Sequence, residues 1–448
     1  MRAGVLGVLG ALMMAPTVNA VASRGWTMPQ VLWTGSTPGT PALAFDARGW
    51  AFSSWPTVGE RQQSASRPPS AAAFRRPRGA PFSGEGTVEA PPPAPVVDDS
   101  GGVITLQQRR IGDTCGLATL YRLVPRFGRV NGEFARAHGG WTILSHTIPP
   151  AVALAGNGRG TAVAAWIQMQ RRAHGGCMLK ELVRVAVRAP GQAFDAPVTV
   201  AHGASSGAIA AAVARDGAIL VAWRYGQVID TRLRSPAGRW GPTRSVKSGP
   251  VDAFAAASGP NGATYLLWTE TQPMGPPEAA RVVGGAVCAA SSMRCNATIL
   301  ERGTWPIPYE GGAGPEMFAV RLALTRGGAL AAWNDWVGGH LRVQTATATD
   351  GGFGRARSST PAGQTFTLGA LAVSPAGRPA LAVMGHGPFV AFGSSDGSFG
   401  APEAVGPAGP RAVGEALAFS PLTGRPTLVW TSYAPEPSST AVLASTGP

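Results

Sequence analysis

One unit recurs along this chain: an apolar run of small and β-branched residues, a tight glycine turn, and a second apolar run that ends in tryptophan. Residues 41–49 lead to Trp55, 151–160 to Trp166, 210–217 to Trp223, 254–262 to Trp268, 321–328 to Trp333 and 416–424 to Trp430. Two copies without the tryptophan fill the gaps, residues 96–102 leading to Leu106 and residues 371–377 leading to Met384. A unit this short cannot bury its apolar faces alone and must stack on its neighbours. Eight anchors at a pitch of about 45 to 65 residues suit one four-stranded sheet each.

The turns support strands rather than helices. Asp216-Gly217 and Asn261-Gly262 stand between apolar runs, and such pairs tolerate the positive φ that a primed two-residue turn demands. Each anchor is therefore read as the hairpin of strands one and two. A second half follows, in which a turn opens an aromatic-led strand at Phe82, Phe134, Phe194, Trp240, Phe353 and Phe399. Prolines near these positions fit an outermost edge strand, where a missing N–H is tolerated. Residues 59–81 and 303–315 read as long surface loops.

The two ends complement each other. The stretch Trp26 to Trp33 resembles the fourth-strand run Trp240 to Val246, whereas the last repeat supplies three strands and stops. An unpaired strand at one terminus and a missing one at the other are what closure of a ring requires, and closure removes two exposed sheet edges. Composition agrees: 61 Gly and 40 Pro supply many turns, and 44% hydrophobic residues with 13 Trp supply a core. The expected fold is all-β, a β-propeller of eight four-stranded blades with seven as the alternative, closed by pairing of the N-terminal strand with the C-terminal blade.

Residues 1–22 read as a signal peptide, with Arg2 as a short basic region, an apolar run from Ala3 to Met14, and small residues around Ala20 and Ala22 for cleavage. Residues 23–448 then form a single propeller domain, secreted to the exterior or the cell envelope, not transmembrane, and a monomer. Export favours disulfides. Cys288 and Cys295 are placed to pin a hairpin, and Cys115 with Cys177, at similar places in consecutive repeats, would tie two neighbouring units. A zinc site is disfavoured because there is no C-x-x-C pair and only His174 lies near Cys177. No metal and no cofactor are expected.

The formal charge is +14, and all basic residues except Lys180 and Lys247 are arginine. Such a field draws anionic partners, an anionic cell-envelope polymer among them. The arginines are dispersed, however, in an Ala/Gly/Pro-rich sequence with the look of a GC-rich bacterial genome. No nucleic-acid module signature appears, so no specific nucleic acid is expected.

In this pattern the chain resembles secreted propellers with sialidase-like repeats. Those repeats carry an Asp-box, Ser-x-Asp-x-Gly-x-Thr-Trp, before the last strand, and residues 394–399 (Ser394, Asp396, Gly397, Phe399) are the nearest match, shorter in spacing and without the tryptophan. The resemblance implies the fold; activity has to be argued from a site.

If strand one is innermost, the residues just past strand two emerge together on one rim. Two positions after the anchors stand Thr57, Gln108, Gln168, Tyr225, Glu270, Asp335, His386 and Ser432, with Arg224, Asn334, Trp336 and Tyr433 beside them. Two functions use this rim. One is a noncatalytic binding or scaffold protein of the cell envelope, with a protein or glycan ligand. The other is a glycan-acting hydrolase in which Glu270 and Asp335 are acid and base on either side of a glycosidic bond.

Overall fold

The computed structural model describes residues 25–34, 39–56, 70–75, 82–88, 94–115, 118–130, 134, 139–145, 150–171, 177–203, 208–249, 251–259, 262–275, 278–289, 294–306, 319–406, 412–432 and 440–448. The expected signal peptide lies outside them, as do Thr57 and Tyr433. Among the described residues there is no helix, and none long and apolar enough to cross a membrane.

The described strands form antiparallel sheets of four, an all-β architecture consistent with a β-propeller. In chain order the sheets span residues 42–88, 96–145, 152–202, 209–248, 251–306, 320–358, 367–404 and 412–446. They are called sheets one to eight below. In the first seven, chain order equals spatial order from the inner strand outward. The sixth carries its outer strand in two pieces, Gly352–Phe353 and Arg357–Ser358, both on His340–Thr349. The eighth takes its fourth strand from the other end of the chain: Gln30–Thr34 pairs antiparallel with Ala441–Thr446, Gln30 opposite Ala444 and Thr34 opposite Ala441. The two copies lacking tryptophan each form a sheet of their own.

The inner strands are short and Ala-rich, as in Ile209–Val213 and Val251–Ser258, so that neighbouring sheets approach closely. Inner strands of successive sheets touch from the first to the eighth, and Ala42–Phe45 of the first touches Ala412–Phe419 of the eighth. Between the sheets lie the anchors. Trp55, Trp166, Trp223, Trp268, Trp333 and Trp430 are all fully buried. Each packs on the sheet that precedes it: Trp223 against Val183 and Val200, Trp268 against Leu220 and Ile229, and Trp55 against Val429 and Val442 of the eighth sheet. A large ring fills the wedge between two twisted sheets, so these tryptophans are core.

The inner hairpins differ from the expected primed turns. In the first sheet Asp46 N donates to Trp50 O and Gly49 N donates to Asp46 O, with Gly49 at φ 79°. This is a longer loop, a type I turn closed by a left-handed glycine, and Asp46 Oδ1 holds it by accepting the N–H groups of Arg48 and Trp50. Asn157 does the same for residues 157–160, and Ala214 to Gly217 has the same backbone bonds. The glycine of Asp216-Gly217 therefore closes the loop rather than filling a two-residue turn. Among the described inner hairpins only that of sheet six, with Thr325 opposite Gly328, has the shorter loop.

Two other expectations change in detail. Part of the stretch 59–81 is ordered as Ser70–Arg75, the third strand of sheet one, and part of 303–315 belongs to the strand Arg294–Pro306. The aromatic that opens the outer strand usually stands before it. Phe194, Trp240 and Phe399 make single bridges to Arg188, Arg234 and Gly393, and in sheets three and four the strand resumes only past a proline, at Val198–His202 and Arg244–Ser248. The Asp-box-like residues form such a turn. Asp396 accepts from Ser394 Oγ, Ser398 Oγ and Ser398 N, and these bonds hold its carboxyl well below the usual carboxylate range. Cys288 and Cys295 form a disulfide across the hairpin of sheet five. The side chains of Cys115 and Cys177 lie outside the described residues.

Candidate functional site

Side chains two apart on a strand share a face. The residue two positions past each anchor therefore points into the same seam as its tryptophan, and on a long strand it is covered there. Gln168 Oε1 accepts the indole N–H of Trp166 at 3.0 Å. Glu270 is 1% exposed; its Oε1 accepts the indole N–H of Trp268 at 2.9 Å and pairs with Lys247 of sheet four at 3.1 Å. Asp335, 5% exposed, takes the N–H of Trp336 on Oδ1 and Gln344 Nε2 on Oδ2.

The seam between sheets five and six has a different partner. Trp333 donates its indole N–H to Glu301 Oε2 of the preceding sheet at 2.5 Å, and Glu301 is hydrogen-bonded in turn to Asp335. Burial and the neighbouring Asp335 push the Glu301 carboxyl up to about 8, against the opposing pull of the Trp333 N–H and Arg281. Arg281, buried beside these two carboxyls, donates to Asn334 O; burial lowers it to about 10, moderated by Glu301, Asp335 and Asp252. Neither Arg281 nor Glu301 is among the residues singled out in the sequence. The signal was positional: Lys247 stands opposite Ile229 and Glu301 opposite Val283, equivalent places on the outer strands of sheets four and five.

Residues one position past the anchor face the next sheet. Arg224 Nη1 donates to Val251 O at 2.9 Å, and Asn334 Oδ1 accepts Leu368 N at 2.7 Å. Thr431 Oγ1 donates to Gly39 O, linking the eighth sheet to the segment before the first. These side chains pin the second strand of one sheet to the start of the next.

Glu270 thus faces the seam with sheet four, Asp335 the seam with sheet five, and the body of sheet five stands between them. Of the described rim residues, Tyr225 and His386 are exposed, and Gln108, Gln168, Arg224, Trp336 and Ser432 are partly so. Tyr225 is 51% exposed because its strand, Ile219–Tyr225, ends just past the anchor, and its ring rests on Gly203, where a Cβ would lie 3.0 Å from the ring. The second strands on either side, Ala162–Arg171 and Thr264–Gly275, run past their anchors by three and five residues more than sheet four's does, about 10 and 16 Å. Sheet four is therefore a low point flanked by two taller hairpins.

Two further buried acids lie near the same end of the strands. Glu181, opposite Met169, is raised to about 7 by burial. Glu415 is raised to about 8 by burial despite Arg321, and its Oε2 fills the space a side chain on Gly369 would need. No group of three or more metal-ligating side chains is present among the described residues.

No protein-family profile matches the sequence, and no curated protein sequence matches it. Among solved structures, the chain is similar to a polysaccharide lyase described as an ulvan lyase, at 8% identity and TM-score 0.48, over 92% of this chain and 95% of that one. It is also similar to polysaccharide lyase Uly1, at 10% identity and TM-score 0.44, over 94% and 99%. A third is the Penicillium chrysogenum α-L-arabinanase, at 8% identity and TM-score 0.42, over 94% and 98%. At these values the similarity bears no weight on what this chain binds or cleaves.

Proposed function

We propose that the eight sheets are the blades of one closed β-propeller spanning residues 23–448, exported after loss of residues 1–22, which acts as a noncatalytic binding or scaffold protein of the cell envelope. Pairing of Gln30–Thr34 with Ala441–Thr446 and the packing of Trp55 on the eighth sheet support closure. The Cys288–Cys295 disulfide supports an oxidising compartment. One observation carries the functional reading: the two carboxylates best suited to glycosidic chemistry are committed to seams, Glu270 to Trp268 and Lys247, Asp335 to Glu301 and Gln344. The contact surface of this reading is the low point around Tyr225, with Trp336 and His386 further along the rim.

The test has two arms. Purified protein is assayed for turnover on a glycan panel, and the expected result is none; turnover that disappears in Glu270→Gln and Asp335→Asn variants with parental melting temperatures would overturn the reading. Immobilised protein is then offered fractionated envelope polymers and proteins. Retention of one component that Tyr225→Ala loses supports the reading, and equal retention by the variant removes this surface from it.

A further inference from the structure

A cavity of about 380 Å³ opens at the opposite end of the inner strands, where strand one turns into strand two. Its wall draws on sheets one, two, seven and eight, with Phe45, Asp46, Asp99, Val373, Leu417 and Phe419 as its principal side chains. The volume falls within the range of small-molecule sites. Among the described residues two carboxylates line it and no basic side chain does, in a chain with an excess of 14 positive charges.

Asp46 is the informative residue. It is 2% exposed, and its Oδ1 is occupied by the N–H groups of Arg48 and Trp50. Oδ2 accepts no hydrogen bond among the described residues and lies 2.8 Å from where a Cβ on Gly101 would stand, so that only glycine fits beside it. Burial and the charge of Asp98 push the Asp46 carboxyl up, against its two backbone hydrogen bonds and Arg48, which is not on the cavity wall. A cationic donor entering the cavity would give this oxygen a charge-assisted partner.

We propose that this cavity binds an organic cation, with a primary ammonium group against the carboxylates of Asp46 and Asp99 and an apolar body against Phe45, Leu417 and Phe419. A hard metal ion asks for six or more oxygen ligands, and this wall offers two carboxylates among apolar side chains. Ring faces suit an ammonium group as well as a hydrocarbon. The site is on the face away from Tyr225 and does not depend on the binding surface proposed above.

Isothermal titration calorimetry of the full chain with phenethylammonium chloride tests it, with 2-phenylethanol as the uncharged analogue and calcium chloride as the metal arm. The expected result is one site per chain, the amine binding at least about tenfold tighter than the alcohol. Asp99→Asn should weaken the amine about fivefold or more while leaving the alcohol unchanged, since the turn at residues 98–101 is held by Asp98 and not by the Asp99 side chain. Ala418→Trp should fill the cavity and abolish both; if that variant does not fold, the Asp99→Asn comparison decides alone. Absence of amine binding, equal affinity for amine and alcohol, or calcium binding that excludes the amine would each overturn the proposal.

Discussion

At the scale of single residues, the molecule stores protons in its seams. Glu181, Glu301 and Glu415 are raised to about 7, 8 and 8, whereas an unfolded glutamate titrates near 4.5. Between pH 4.5 and 8 the native state therefore binds more protons than the unfolded chain, and stability must fall as pH rises through that window. Their contribution is complete below about pH 4.5 and gone above about pH 8. Urea midpoints measured at pH 5.5 and 8.5 should drop with pH by the equivalent of a few kcal/mol, on the order expected for groups shifted this far. Glu415→Gln, which keeps the shape and removes the titration, should flatten the slope; an unchanged slope would mean that Glu415 ionises normally. Glu270 is paired with a cation, Lys247. Glu270→Gln still accepts from Trp268 and should cost little, whereas Glu270→Ala leaves an indole N–H and Lys247 without an acceptor and should cost roughly 1–3 kcal/mol by the same measurement.

Elements obey simpler rules, and most of them were legible in the sequence. Apolar runs, glycine spacing and, in six of the eight, the terminal tryptophan located the hairpins of the sheets, because a strand buried on both faces and closed by a tight turn leaves few other sequences possible. Loop length was not legible: Asp216-Gly217 read as a two-residue turn, yet Gly217 closes a longer loop that Ala214 opens. Burial at the rim was not legible for a related reason. Gln168, Glu270 and Asp335 share a face with their tryptophans, and polarity alone does not distinguish a seam from solvent. Nor could one sequence pair Glu301 with Asp335, which come from different repeats. The glycine loops allow a matched prediction. Gly101 and Gly191 both have positive φ, but a Cβ on Gly101 meets Asp46 whereas one on Gly191 meets nothing within 4 Å. Gly191→Ala should cost about 1 kcal/mol for its backbone alone, and Gly101→Ala measurably more, by urea unfolding.

At the scale of the whole molecule, the eighth sheet is fastened by pairing strands more than 400 residues apart. Removing residues 25–34 would leave Ala441–Thr446 as an unpaired edge and take Trp26 and Leu32 out of the core. Such a truncation should lower the melting temperature by several degrees or more and produce concentration-dependent oligomers in size-exclusion chromatography. A monomer of parental stability would mean that the eighth sheet manages with three strands. A synthetic peptide covering residues 25–34 should restore part of the lost stability if the vacant edge is the cause.

That fastening also sets a schedule. Gln30–Thr34 is made more than 400 residues before its partner strand, so it is among the last of the described strands to find its place. A ribosome adding about 5–20 residues each second imposes a wait of tens of seconds on it. During that interval seven sheets can fold in order of appearance, and the eighth is complete only when Ala441–Thr446 is free to pair with the waiting strand.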